Sequence, residues 1–145
     1  MKKEFFTRKF VPAQGTIVPE SLQVTERHGI IMLKLGIVGV GGIATMHVDN
    51  ILSGKCPDIK IAAMADRKES RRKWAADKVP QAAIFSEGRD LIQSGICEAV
   101  LIAVPHYQHP ELSILAFQNN LHVLCEKPAG VYTLQVRDMI TEADL

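Results

Sequence analysis

After Met32 the chain keeps a rhythm that few folds can accommodate. A short, nearly unbroken apolar run is followed by a glycine or polar turn, then an amphipathic stretch, then the next run. The runs are LKLGIVGV (33–40), IKIAAMA (59–65), the weaker AAIF (82–85), EAVLIAVP (98–105) and LHVLCE (121–126). A strand with one wet face alternates apolar and polar side chains, so near-continuous apolar strands are covered on both faces. Helix-length segments between such strands supply crossover connections and imply a doubly wound, parallel α/β sheet.

The intervening segments carry helical spacing. Ile43, Met46 and Ile51 share one face after the first run, and Leu112, Leu115 and Ala116 share one behind Pro110, a residue suited to a helix start. ESRRKWAADKV is charged, and its Trp74 and two alanines predict one face on the sheet. The closing VYTLQVRDMITEADL spaces Val136, Met139 and Ile140 helically. In the last run Leu121, Val123, Leu124 and Cys125 read as a buried strand. Residues 1–31 lack this rhythm and read as an N-terminal extension or arm; residues 32–145 form the domain.

At 145 residues the chain is long enough for one domain with a real core, and 47% hydrophobic with 23% charged residues is a soluble globular composition. A formal net charge of +1 offers no electrostatic footprint for nucleic acid or for a membrane. The cluster Arg67, Lys68, Arg71, Arg72 and Lys73, interleaved with Glu69, reads as a solvated helix face. Cys56, Cys97 and Cys125 form an odd, scattered set with no C-x-x-C pair. That pattern argues for a reducing compartment and against a zinc site. MKKEFFTRKF has no apolar stretch behind its lysines, and the most apolar window, 29–46, carries Lys34 and five glycines. Neither suits a secretory signal or a membrane span. The expected location is the cytoplasm.

The chemistry gathers where the runs end. Gly39-Val40-Gly41-Gly42-Ile43-Ala44 fits G-x-G-x-x-G/A between a strand and a helix. In such a turn Gly39 allows the sharp bend, Gly41 lets the backbone approach a pyrophosphate, and Ala44 lets the helix close on the strand. The helix N-terminus presents N–H donors and partial positive charge to phosphates. The second run ends at Asp66, where an acid can accept both hydroxyls of an adenosine ribose or serve the following helix as a cap. Arg67 beside it can flank an adenine, meet a 2′-phosphate, or be solvated. Val104 and Pro105 end the fourth run, with His106 and His109 following. His47, on the first helix, reads as a packing or capping residue. The fifth run ends in Glu126, Lys127 and Pro128.

GVGGIATMH, ADR, AVPHYQHPELSILAF and HVLCEKPAG, in this order and spacing, resemble the glucose-fructose oxidoreductase / inositol dehydrogenase / MocA (Gfo/Idh/MocA) family over residues 33–143. The resemblance implies a Rossmann domain holding NAD or NADP, with NAD favoured by Asp66, and a sugar, cyclitol or related polyol as substrate. It implies that Gly39, Gly41, Gly42, Ile43 and Ala44 form the phosphate turn and Asp66 takes the ribose. Val104, Pro105 and His109 would line the cofactor, while Glu126 and Lys127 reach the nicotinamide ribose and the substrate. His106 departs from the small or polar residue often found after the family's strand-end proline. The resemblance also suggests a cis peptide at Pro128 and a homo-oligomer.

Hydride loss from a secondary alcohol leaves a developing carbonyl and a departing hydroxyl proton, and a fixed lysine beside that oxygen can answer both needs. The family's sixth strand and C-terminal substrate domain would lie past Leu145. The 145-residue chain alone is therefore expected to bind cofactor without turnover. The alternative is a non-catalytic dinucleotide-binding sensor or partner module.

Overall fold

The computed structural model describes residues 32–145; the arm read over 1–31 lies outside the described residues. The elements are β1 (Leu33–Val38), α1 (Gly42–Leu52), β2 (Ile59–Ala65), α2 (Glu69–Lys78), β3 (Ala83–Phe85), α3 (Gly88–Gln93), β4 (Ala99–Ile102), α4 (His109–Gln118), β5 (His122–Cys125) and α5 (Thr133–Ala143). A 3-10 turn over His106–Gln108 leads into α4. Each apolar run contains one strand. All neighbours pair in parallel, in the order β3-β2-β1-β4-β5. The chain steps outward from β1 to β3, then returns to lay β4 on the other side of β1. Connections leaving β1 and β4 therefore diverge, and a crevice opens at their carboxyl ends.

Apolar side chains fill both faces of the central strands. Ile37, Ile61, Met64 and Leu101 meet Ala44 and Val48 of α1 and Ala75 of α2 on one side. Val38, Ala63, Val100 and Ile102 meet Leu91 and Ile92 of α3 and Leu112 and Ala116 of α4 on the other. Leu35 pairs with Ile61 but Gly36 with Ala63. This one-residue bulge puts the consecutive Ala62 and Ala63 into the same core cluster. A Cβ on Gly36 would stand 2.7 Å from Leu91 and 2.9 Å from Cys97, so the missing side chain is what seats α3 against β1.

Three expectations are corrected. On α1 the inward face is Ala44, Val48 and Ile51, whereas Ile43 and Met46 are 40% and 49% exposed. Ala44 brings the helix close to the sheet, and the bulkier side chains one position away turn to solvent. On β5 Leu121 is buried, but Val123 and Cys125 are only half-buried and Leu124 is 59% exposed. Among the described residues β5 is an edge strand, and α4 packs against one of its faces. On α5, which packs against α4, Met139 is buried and Val136 half-buried, while Ile140 is exposed. The six-residue α3 was not foreseen, because an element that short shows too few turns for its spacing to register.

Candidate functional site

The glycine turn begins where β1 stops. Gly39 has φ +92, and a Cβ there would lie 2.7 Å from the Ala103 carbonyl oxygen at the end of β4. Both the conformation and the close approach exclude a side chain. Gly41 is the N-cap of α1, with no side chain capping the helix, and a Cβ on Gly42 would meet nothing within 4 Å. The first-turn N–H groups of α1 thus open onto clear space, a ready anion site. Ala44 is fully buried behind the turn, and Ile43 stands exposed at its mouth.

Asp66 follows β2 with its side chain only 7% exposed. Its Oδ1 accepts the Lys68 N–H at 2.8 Å, and Oδ2 accepts the Val40 N–H at 2.8 Å and Arg71 Nη1 at 3.3 Å. Burial by itself would raise the carboxyl pKa, but the hydrogen bonds from Lys68, Val40 and Arg71, with the Arg71 charge, hold it below 3.8. The acid therefore fastens the glycine turn to the end of β2. A carboxylate offers about four acceptor positions. With three bonds in place, one acceptor position is left. The capping alternative is met in part, since Lys68 is the N-cap residue of α2.

Three arginines around Asp66 make protein contacts. Arg67 Nε donates to Glu87 at 3.0 Å, and Arg72 Nη1 donates to the carbonyls of Asp66 and Arg67. A cleft of about 450 Å³ runs from the glycine turn past these groups, lined by Gly39, Asp66, Arg67, Val104 and Pro105 among others. Arg89 and Glu111 form an ion pair at its rim. His109 does not line this cleft. It is 1% exposed, and its Nδ1 and Nε2 each lie 2.8 Å from a main-chain oxygen, those of Pro128 and Val104. As the first residue of α4 it is drawn beneath the loop that Val104 and Pro105 present. His106 instead sits in the 3-10 turn, its ring 4.2 Å from that of Tyr107.

β5 delivers Glu126 and Lys127 beside this edge. The Glu126 N–H donates to the Ile102 carbonyl at 3.0 Å, extending the ladder one step past the strand. Lys127 is exposed and has no ion-pair partner among the described residues, and the Lys127–Pro128 peptide is cis. Glu126 Oε1 lies 2.8 Å from His47 Nε2. That hydrogen bond is the largest influence holding the Glu126 carboxyl below 4.5. The sequence reading of His47 as a packing or capping residue does not include this bond. The signal that could have found it is its place on the inward face of α1, between Ala44 and Val48, where a polar side chain needs a partner.

Residues 33–144 match the oxidoreductase family with an NAD-binding Rossmann fold. Inositol 2-dehydrogenase of Rubrobacter xylanophilus is 38% identical over 96 residues, covering 66% of this chain and 27% of that protein. The scyllo-inositol 2-dehydrogenase (NADP(+)) of Bacillus subtilis is 30% identical over 77% of this chain and 34% of its own length. Scyllo-inositol dehydrogenase from Lactobacillus casei, solved with bound NAD(H) and scyllo-inositol, superposes with a TM-score of 0.71 at 26% identity, over 79% of this chain and 34% of that one. The chain thus spans about a third or less of the length of these relatives. With the family match running over residues 33–144, the chain belongs to the Gfo/Idh/MocA oxidoreductase family, in its NAD-binding Rossmann fold.

Proposed function

We propose that residues 32–145 are the dinucleotide-binding domain of an enzyme that moves a hydride between NAD and a ring carbinol of an inositol or related polyol. The observation that carries this reading is the convergence of the glycine turn, Asp66 and Lys127 on the carboxyl edge of one sheet at its switch point. The residues fit a dinucleotide. The uncapped start of α1 and the clear space over Gly42 suit a pyrophosphate. The cleft past Asp66 suits an adenosine, and Asp66 keeps one acceptor position for a ribose hydroxyl.

When bound, the nicotinamide supplies the hydride acceptor. Val104 and Pro105 hold water off that end of the cleft with apolar surface. Glu126 turns its second carboxylate oxygen to a ribose hydroxyl. Lys127 holds its ammonium near the substrate oxygen, where it stabilises the charge that develops as the carbonyl forms and relays the hydroxyl proton. His109 acts from behind, through the carbonyls of Val104 and Pro128.

NAD is favoured over NADP because a 2′-phosphate would meet the Asp66 carboxylate, whose two oxygens already face the turn and the start of α2. Asp66→Ala is expected to weaken NAD by about ten- to a hundredfold and NADP less. Calorimetric titration with each cofactor checks this, and tighter binding of NADP by the unsubstituted protein would contradict it. Three free thiols support a reducing, cytoplasmic location. Among the described residues no helix is long and apolar enough to cross a membrane.

The test of the reading is NAD reduction, followed by absorbance, with the full-length gene product on myo-inositol, scyllo-inositol and a panel of sugars. Turnover on a cyclitol or sugar that is lost in Lys127→Met is expected. Cofactor binding without turnover on any of them would favour the sensor alternative.

A further inference from the structure

Lys127 has a long, flexible side chain, so the fold can aim it only by fixing the main chain that carries it. Three separate elements do this. From β4, the Ile102 carbonyl accepts the Glu126 N–H at 3.0 Å. From α4, buried His109 lies 2.8 Å from the Pro128 oxygen and 2.8 Å from the Val104 oxygen. Carbonyls only accept, so whichever ring nitrogen carries a proton donates to one of the two loops at the edge. From α1, His47 holds the Glu126 side chain through the 2.8 Å contact of Nε2 with Oε1. The two partners are 28% and 20% exposed, sheltered enough for the bond to persist. One oxygen of Glu126 is thereby occupied, which orients the other.

We propose that His47 is a positioning residue of the reaction centre: through Glu126 it ties α1, the helix of the glycine turn, to the turn that carries Lys127. The proposal rests on reading Lys127 as the group that meets the substrate hydroxyl. His47 itself touches neither substrate nor cofactor in this account. It keeps the distance between the pyrophosphate end, on α1, and the lysine, on the β5 end, from drifting. Displacing a reacting group by about 1 Å can cost a hundredfold in rate, so the effect belongs in kcat rather than in cofactor affinity.

The test uses the full-length protein with three readouts: kcat and KM on the best polyol, NAD affinity by calorimetry, and the titration of the Glu126 carboxyl followed by carbon NMR. The titratable groups beside that carboxyl are His47 and Lys127. His47→Leu is expected to lower kcat about ten- to a hundredfold, to leave NAD affinity within about threefold, and to raise the titration midpoint of Glu126. His47→Gln, whose amide can still donate to the carboxylate, is expected to recover most of the lost kcat. His47→Leu combined with Glu126→Gln should fall no further than the worse single variant, because both cut the same link. The proposal is overturned if His47→Leu keeps kcat within about twofold, if NAD affinity falls in step with kcat, or if the Gln and Leu variants are equally impaired. An unsubstituted protein that neither binds NAD nor turns over would overturn the underlying reading and this proposal with it. The Glu126 titration would still respond to His47→Leu in that case, which tells the two failures apart.

Discussion

Asp66 accepts three hydrogen bonds while almost out of water, and its charge is part of what those donors are arranged around. Its folded pKa lies below 3.8. A depressed pKa contributes stability that is full above the unfolded value and lost as pH falls through the folded one. Urea denaturation from about pH 6 to about pH 3 should show stability falling at the acid end, and falling less steeply in Asp66→Asn. A parallel decline in both proteins would contradict it. Gly39 leaves no such latitude. With φ +92 and the Ala103 oxygen 2.7 Å from any Cβ, Gly39→Ala should cost at least about 2 kcal/mol, measured in the same denaturation experiment. Gly39 was legible because a glycine in a strand-to-helix turn is a local signal, whereas the bond from Val40 to Asp66 spans 26 residues and was not. The His47–Glu126 bond spans 79 residues of chain, and nothing in a linear reading places those two side chains together.

All five strands were legible as elements because each is a dense apolar run. What the runs could not tell was which helix side chains turn inward. On α1 the spacing of large apolar residues pointed to Ile43 and Met46, but the sheet took the smaller Ala44 and Val48, for which close approach matters more than bulk. Substitutions separate the two readings. Val48→Ala should cost about 1.5–2.5 kcal/mol from lost burial and the cavity left behind. Met46→Gln should stay within about 0.5 kcal/mol. Equal costs in thermal or urea denaturation would show that α1 seats on the other face. β5 looked buried from its composition, but strand composition does not reveal position in the sheet. Leu124 shares the sheet face of its partner Leu101, and among the described residues the helices that cover that face at the centre do not reach β5.

At the scale of the whole molecule, the order β3-β2-β1-β4-β5 decides everything the site does. It splits the connections at β1 and β4, opens the crevice there, and brings ends from residues 39, 66, 104 and 126 to one edge. The central claim is that this edge holds a dinucleotide with its phosphates on the start of α1. Gly42 offers the most direct test, since a side chain there meets nothing within 4 Å and an acid at a helix start stabilises by about 0.3–1 kcal/mol. Gly42→Glu should therefore fold as well as the unsubstituted protein while placing a negative charge where the phosphates would lie. Isothermal titration with NAD should show saturable binding to the unsubstituted protein and a loss of about a hundredfold or more in Gly42→Glu, with the melting temperature unchanged or slightly raised. Equal NAD affinity in the two proteins would contradict the account.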